Sequence, residues 1–551
     1  MTRREKRATW TGLGAAFSVL VILSPVCAQE MHRHDPTEKL GEVNFPVSCS
    51  AVAQKEFNRA LALLHSFQYP EAEKAFSEVS ATDSNCAMSY WGVAMSNYHP
   101  LWAPPGVAEL AKGAAAIARA RSLNAGSERE RDYIAALDLF YKDADKLDHR
   151  TRARAYEQAM KQLYLRYSKD NEAAIFYALA LNERALVVDE KDYLENKKKA
   201  GEILNRVLPI EPNHPGIVHY LIHSYDLPAL AYLALGAARS YAKIAPSSAH
   251  AVHMPSHIFT RLGLWQESIQ SNLTSAAIAK EKVSKTNPGW GSQEQFHALD
   301  YLVYAYLQIA QDQKAKAVLD EMNAFRQVDE EVFQVAFAWS AIPARYAMER
   351  HRWNEAAALT LYPAAFPWER FPFAEANIHF ARAVGAARSG QVAVAGQEIE
   401  KLAANQQALS KIKIGYDWAT EVEIQRQVAT AWLAHAEGKD AEAVRAMRAA
   451  ADLEDATEKH PVTPGAILPA REMLGDLLLE VKQPAPALIE YQTVLKNLPN
   501  RFNALYGAAR ATELSGDRKQ ARIYYEKLAA LGNQSDGSRP ELQYAKKYLK
   551  K

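Results

Sequence analysis

The chain has 551 residues, with 65 Lys and Arg against 64 Asp and Glu, 48% hydrophobic residues and only 3 Cys. That length is several times a single-core domain, so several domains or a repeat array are expected. The apolar content excludes a wholly disordered chain, the balanced charge excludes a general nucleic-acid binder, and 24 Gly with 25 Pro exclude a fibrous protein.

Taken in chain order, Arg3, Arg4, Lys6 and Arg7 form a basic region followed by an apolar run from Leu13 to Leu23. Pro25 breaks the run, and Val26-Cys27-Ala28 supplies small residues for cleavage. This layout predicts a secretory signal peptide over residues 1–28, the run being too short for a spanning helix. Its removal would take four basic residues and Glu5, leaving a slightly acidic chain. Lipidation at Cys27 is the alternative, but Val26 is a poor residue immediately before a lipidated cysteine. No other stretch reaches about 18 uninterrupted apolar residues, so no transmembrane span is expected in the mature chain. The expected location is the periplasm or the medium.

Residues 29–48, with His32-Arg33-His34-Asp35, are expected to be a disordered tail. Cys49 and Cys86 then remain, an even pair in an oxidising compartment, and a disulfide is expected. The competing reading is two buried thiols that do not meet.

Strand signals are nearly absent. Apolar residues instead recur at spacings of three and four, in segments separated by Gly, Pro, Asp or Asn. These segments repeat with a period of 34: Ala487 and Ala521, Tyr491 and Tyr525, and Val494 and Leu528 are each that far apart. Each set reads small–xxx–aromatic, with Ser515-Gly516-Asp517 and Lys482-Gln483-Pro484 as equivalent turns. Tyr69–Phe76, Arg352–Ala356 and Gly438–Ala443 share the grammar.

On these residues the chain resembles the tetratricopeptide repeat (TPR) proteins, over most of residues 50–530, with stretches 100–150 and 281–296 degenerate or padded. More narrowly, it resembles a group of exported bacterial TPR proteins. That likeness is carried by Phe45-Pro-Val-Ser-Cys49, Cys86–Gly92, His214–His219, His253–Phe259, His460–Gly465 and Pro499–Gly507. The resemblance implies an all-α fold, a right-handed superhelical solenoid of TPR-like hairpins, several of them degenerate. The expected organisation is a His-rich N-terminal array over 49–330, a C-terminal array over 331–535 and a tail over 536–551. The concave groove of such a solenoid is the expected surface for a protein or peptide partner. Trp102, Trp290, His460 and Arg471 are candidate groove residues.

The most specific pattern lies in residues 212–300. Pro212 and Pro246 are 34 apart, as are His219 and His253, and His223 and His257. Each unit therefore carries His-x3-His one turn apart on one helix face. His214 and His250 lie at helix starts. In the following unit His297 aligns with His250, Asp300 with His253 and Tyr304 with His257, across a padded loop. Two such helices with Asp300 would suit Zn²⁺ or Cu²⁺. The competing reading is structural, with the histidines hydrogen-bonded to Asp226, Tyr220, Tyr225 or backbone carbonyls. Pro255 either kinks this segment or begins a helix there.

Phosphate-loop, His-Glu-x-x-His, Cys-x-x-Cys and Gly-x-Ser-x-Gly motifs are all missing from the sequence. With no conventional catalytic motif, enzymatic activity stays an open question. The leading expectation is an exported TPR scaffold that binds a protein or peptide partner. The alternative is a metal-binding protein with possible metal-assisted chemistry, and a third is a purely structural assembly factor.

Overall fold

The computed structural model describes residues 38–101, 103–185, 190–412, 415–537 and 539–550. The expected signal peptide, the histidines of the N-terminal tail and Trp102 lie outside the described residues. No helix among the described residues is long and apolar enough to cross a membrane.

From Lys39 onward the described residues are all-α, with 26 α-helices and two short 3-10 turns, and sequence neighbours pack in pairs. The small–xxx–aromatic grammar explains the pairing. Tyr491, on the helix Pro484–Asn497, lies against Gly475 of the preceding helix and Gly507 of the following one. A methyl group at either glycine would come within 2.7 Å or 2.2 Å of the ring, so both helices approach closely only because those positions lack a side chain. The two equivalent turns work alike. Gly516 has φ +87° and Lys482 φ +61°, both left-handed, and the next helices open on an Asp517 side-chain cap or on Pro484.

Cys49 and Cys86 are joined by a disulfide, their Cα atoms 5.0 Å apart. The stretch 39–48, expected as part of a disordered tail, is instead packed in extended form. Phe45 is fully buried against Phe57, Trp91 and Tyr133, and Glu42 N donates to Asn213 O at 3.0 Å. The expected C-terminal tail likewise holds a helix, Pro540–Leu549, which buries Leu542 and Ala545. Just before it, Asp536 accepts from the backbone of Gln313 and Lys314 and caps the helix Asp312–Ala324. Aromatic and aliphatic burial outweighs the chain-end entropy in both places. The aromatic–proline stretch 362–372 is core filling: Phe366, Trp368 and Phe371 are buried, and Trp368 Nε1 donates to Pro363 O.

The chain also doubles back on itself. Gly263, at φ +64°, passes so close to Pro499 O that a Cβ would lie 2.2 Å from it. Beside it Trp265 Nε1 donates to Asn500 O, and Asn500 Nδ2 donates to Gly263 O. At the centre of this seam the fully buried Arg501 donates to Glu472 at 2.8 and 2.9 Å, to Glu349 at 2.8 Å and to Tyr304 Oη at 2.8 Å. Four elements distant in sequence are thereby held around one guanidinium.

Arg501→Ala leaves Glu349 and Glu472 buried without their cation. The expected loss is about 3–5 kcal/mol, measured as a lower urea midpoint followed by circular dichroism.

Candidate metal centre

The helix Pro215–Tyr225 begins with Pro215 at its first position and His214 as its cap, whose Nδ1 accepts from Gly216 N at 3.1 Å. His219 and His223 then face the same way. One unit later a short helix, Ala249–His253, is capped by Ser248, and a second begins at Pro255 and runs to Arg261. Met254 between them is still right-handed, so Pro255 starts a helix and turns the segment little. His253 and His257 therefore stay one turn apart.

These histidines do not converge on one point. They form two triads: His219, His223 and His250, and His253, His257 and His297. Within each, one nitrogen per ring lies within 4.8 Å of the others. His219 Nε2 is 3.1 Å from His223 Nε2 and 3.2 Å from His250 Nε2, and His253 Nε2 is 3.1 Å from His257 Nε2. Each triad takes a His-x3-His pair from one unit and a third histidine from the next.

The opposite nitrogens fix the tautomers. His219 Nδ1 donates to the backbone carbonyl of His65 at 2.6 Å. His253 Nδ1 donates to Asn272 Oδ1 at 2.6 Å, and Asn272 is oriented by its own amide donating to Ser268 O. His257 Nδ1 donates to Asp226 Oδ2 at 3.1 Å. Burial alone would raise the Asp226 carboxyl, but Lys459, Arg261 and His257 hold it well below the usual range, so it is an acceptor only. A neutral imidazole has a single N–H, so the Nε2 atoms of His219, His253 and His257 all carry bare lone pairs. Fixing the far nitrogen in this way is what the surroundings of metal-ligating histidines do.

A third cluster differs. His65 Nε2 and His214 Nε2 flank Glu172 at 3.1 and 2.9 Å. Their other nitrogens are engaged by Tyr220 Oη and Gly216 N, so hydrogen bonds satisfy both rings. Burial alone would raise the Glu172 carboxyl, but the two imidazoles hold it far below its ordinary range. This cluster reads as a structural clasp.

Asp300, aligned with His253 in sequence, joins neither triad. It pairs with the buried Arg345 at 3.2 Å, and burial pushes its carboxyl up to about 6. Arg345 in turn donates to the carbonyls of Gly465 and Ala466, anchoring the loop that carries His460. Tyr304 serves Arg501. Of the groove candidates, His460 lines a cavity, whereas Arg471 is bound by Asp452, Asp455 and Glu490, and Trp290 lies in a turn closed by its N–H to Asn287 O. Asp226 stood among the structural partners read from the sequence. Asn272, His65 and Lys459 gave no signal, because nothing in local spacing marks a residue that acts through another one far away.

A cavity of about 950 Å³ adjoins the first triad, with His250 in its wall. Its lining is mainly apolar and aromatic on the side of Phe333, Trp418 and His460, and acidic around Glu294, Asp329 and Glu330. Glu294 and Gln334 also border a small pocket that touches His250, His253 and His297. The cavity and the two triads are therefore adjacent.

Against known proteins, no family model matches the chain, and a search of curated proteins finds no match either.

Burial, aided mainly by the neighbouring histidines and at His223 by Lys197, holds His219, His223, His250, His253 and His297 well below the ordinary imidazole range; His257 is lowered too, although Asp226 opposes it. The unfolded chain takes up protons near pH ~6.5 while the folded chain stays neutral, so acid favours unfolding. For chelator-treated protein, stability is expected to be complete above that pH and to fall by about 1.4 kcal/mol per pH unit per histidine below it. Thermal midpoints measured from pH 7.5 to 5 check this, and His253→Gln should flatten the profile.

Proposed function

We propose that this chain is an exported TPR-type protein that binds two transition-metal ions, Zn²⁺ or Cu²⁺, one in each histidine triad. A single observation carries the reading: His253 Nε2 and His257 Nε2 face each other at 3.1 Å while both Nδ1 protons are committed elsewhere. Two buried lone pairs at that distance repel, and a cation between them removes the repulsion. Two nitrogens bound at 2.0–2.1 Å to one tetrahedral ion stand about 3.3 Å apart, close to the spacing seen. Neutral imidazoles are the form a metal requires, and an all-nitrogen set suits Zn²⁺ and Cu²⁺. Three protein ligands leave a fourth position for water or substrate.

The helix pairing and the 34-residue period support the TPR scaffold, and the leader's layout supports export. In this reading the scaffold's task is to hold the triads in register. No particular surface contact speaks for a protein partner. His250 belongs both to a triad and to the cavity wall, which favours metal-assisted chemistry or exchange over a purely structural ion.

Metal titration of the chelator-treated full chain tests the proposal, with two equivalents expected. His219→Ala and His253→Ala should each remove one equivalent and the double variant both, with helicity unchanged. Asp300→Asn should leave both. Asn272→Leu, which frees the His253 ring, should weaken one site about 10–100-fold and spare the other. Folded protein that takes up no metal stoichiometrically would overturn the reading.

A further inference from the structure

We propose that the cavity beside the triads binds an organic cation, a primary amine carried on an aromatic or apolar body. The inference does not depend on whether the triads hold metal.

The volume, about 950 Å³, is that of a small-molecule site. One wall is an aromatic panel. His460 stacks on Phe333 at 4.5 Å and on Trp418 at 5.0 Å, with interplanar angles of 29° and 23°, and Phe373 stacks on the same indole at 4.8 Å. Burial pushes the His460 imidazole down to about 3, so the panel is uncharged at neutral pH. Flat faces of this kind take an aromatic body, and the indole and phenyl faces favour a cation over an anion.

The other wall is short of positive charge. Glu71, Glu294, Asp329 and Glu330 line the cavity with Lys282 as the one lysine among its described residues, and Lys282 is already ion-paired with Glu71. Asp329 and Glu330 accept only neutral donors, from the Glu330 backbone and from the Gln293 backbone and side chain. The Glu294 carboxyl makes no hydrogen bond or close ion pair to any described residue, and the Lys282 ammonium is the one positive charge that acts on it. Burial raises the Glu294 carboxyl, with Lys282 opposing and Glu71 and Asp329 adding to the rise; Asp329 and Glu330 are raised too, although both side chains are solvent-exposed. A cation at this wall relieves that cost.

The two walls are continuous, because Asp329, Glu330, Phe333 and Gln334 all line the cavity along one short stretch of chain. A ligand with its amine at Glu294 and its ring on the panel satisfies both. Its charged end then lies beside His250. A bare metal ion would satisfy the carboxylates alone and leave the panel unused.

Calorimetric titration of the chelator-treated full chain with phenethylamine tests this, using 2-phenylethanol as the neutral and 3-phenylpropanoate as the anionic counterpart. Phenethylamine should bind saturably, the alcohol about tenfold or more weakly, and the anion not at all. Glu294→Gln and Trp418→Leu should each weaken phenethylamine about tenfold while helicity and any Zn²⁺ uptake stay those of the parent. Glu330→Gln gives a second acidic variant, and Trp418→Phe should retain most of the affinity if the leucine variant misfolds. The proposal is overturned if no probe binds, if the anion binds as well as the amine, or if folded variants bind like the parent. It is also overturned if Zn²⁺ alone occupies the cavity.

Discussion

A neutral imidazole has one proton and two nitrogens, and burial forces the rings of both triads to remain neutral. Once a carbonyl, an amide oxygen or a carboxylate has taken the Nδ1 proton, Nε2 must be met by something other than another such ring. Much of the architecture follows from this constraint. The end of the helix Ala51–His65 lies where its last carbonyl can receive His219. Asn272 is turned by a bond to its own helix, and Asp226 is charged because Arg261 and Lys459 surround it. Each of these groups would be poorly placed if its histidine were absent.

The same accounting separates the three clusters. Around Glu172 each ring nitrogen has a hydrogen-bonding partner of the right polarity, so nothing further is needed. In the second triad two acceptors face one another. Residue types and spacing are alike in the two situations, and only the partners of the far nitrogens tell them apart. A count of histidines near one another would rank the clusters as equals.

This also marks how far the sequence could be read. The 34-residue offset placed His219 and His223 in register with His253 and His257, because periodicity records which face a residue occupies. Taken alone, that register places the four rings on one patch. The two triads arise because each pair meets the next unit's earlier histidine, His250 or His297, which a side chain pointing back along its helix brings level. Asp300 kept the right register but found Arg345 from a helix outside the pattern. The cavity was hidden for a different reason: Glu294, Phe333, Trp418 and His460 come from separate stretches, joined by tertiary folding that carries no local signature. The packed segments 39–48 and 540–549 were hidden likewise, their burial being decided by distant aromatic and aliphatic neighbours.

The seam through Gly263 and Arg501 gives the two triads different histories. The three rings of the first, with His65 and Lys197 beside them, come from the first 250 residues, and the helix that carries His250 is held by Ser275 soon after. The second leans on Asp226, which in turn is neutralised by Lys459 and, through Arg261, tied to Glu458. On a growing or emerging chain the first triad is supported by residue 275, while the second still awaits Lys459. Two sites that look like copies in the finished molecule are thus made in sequence, the later one only after the molecule has closed.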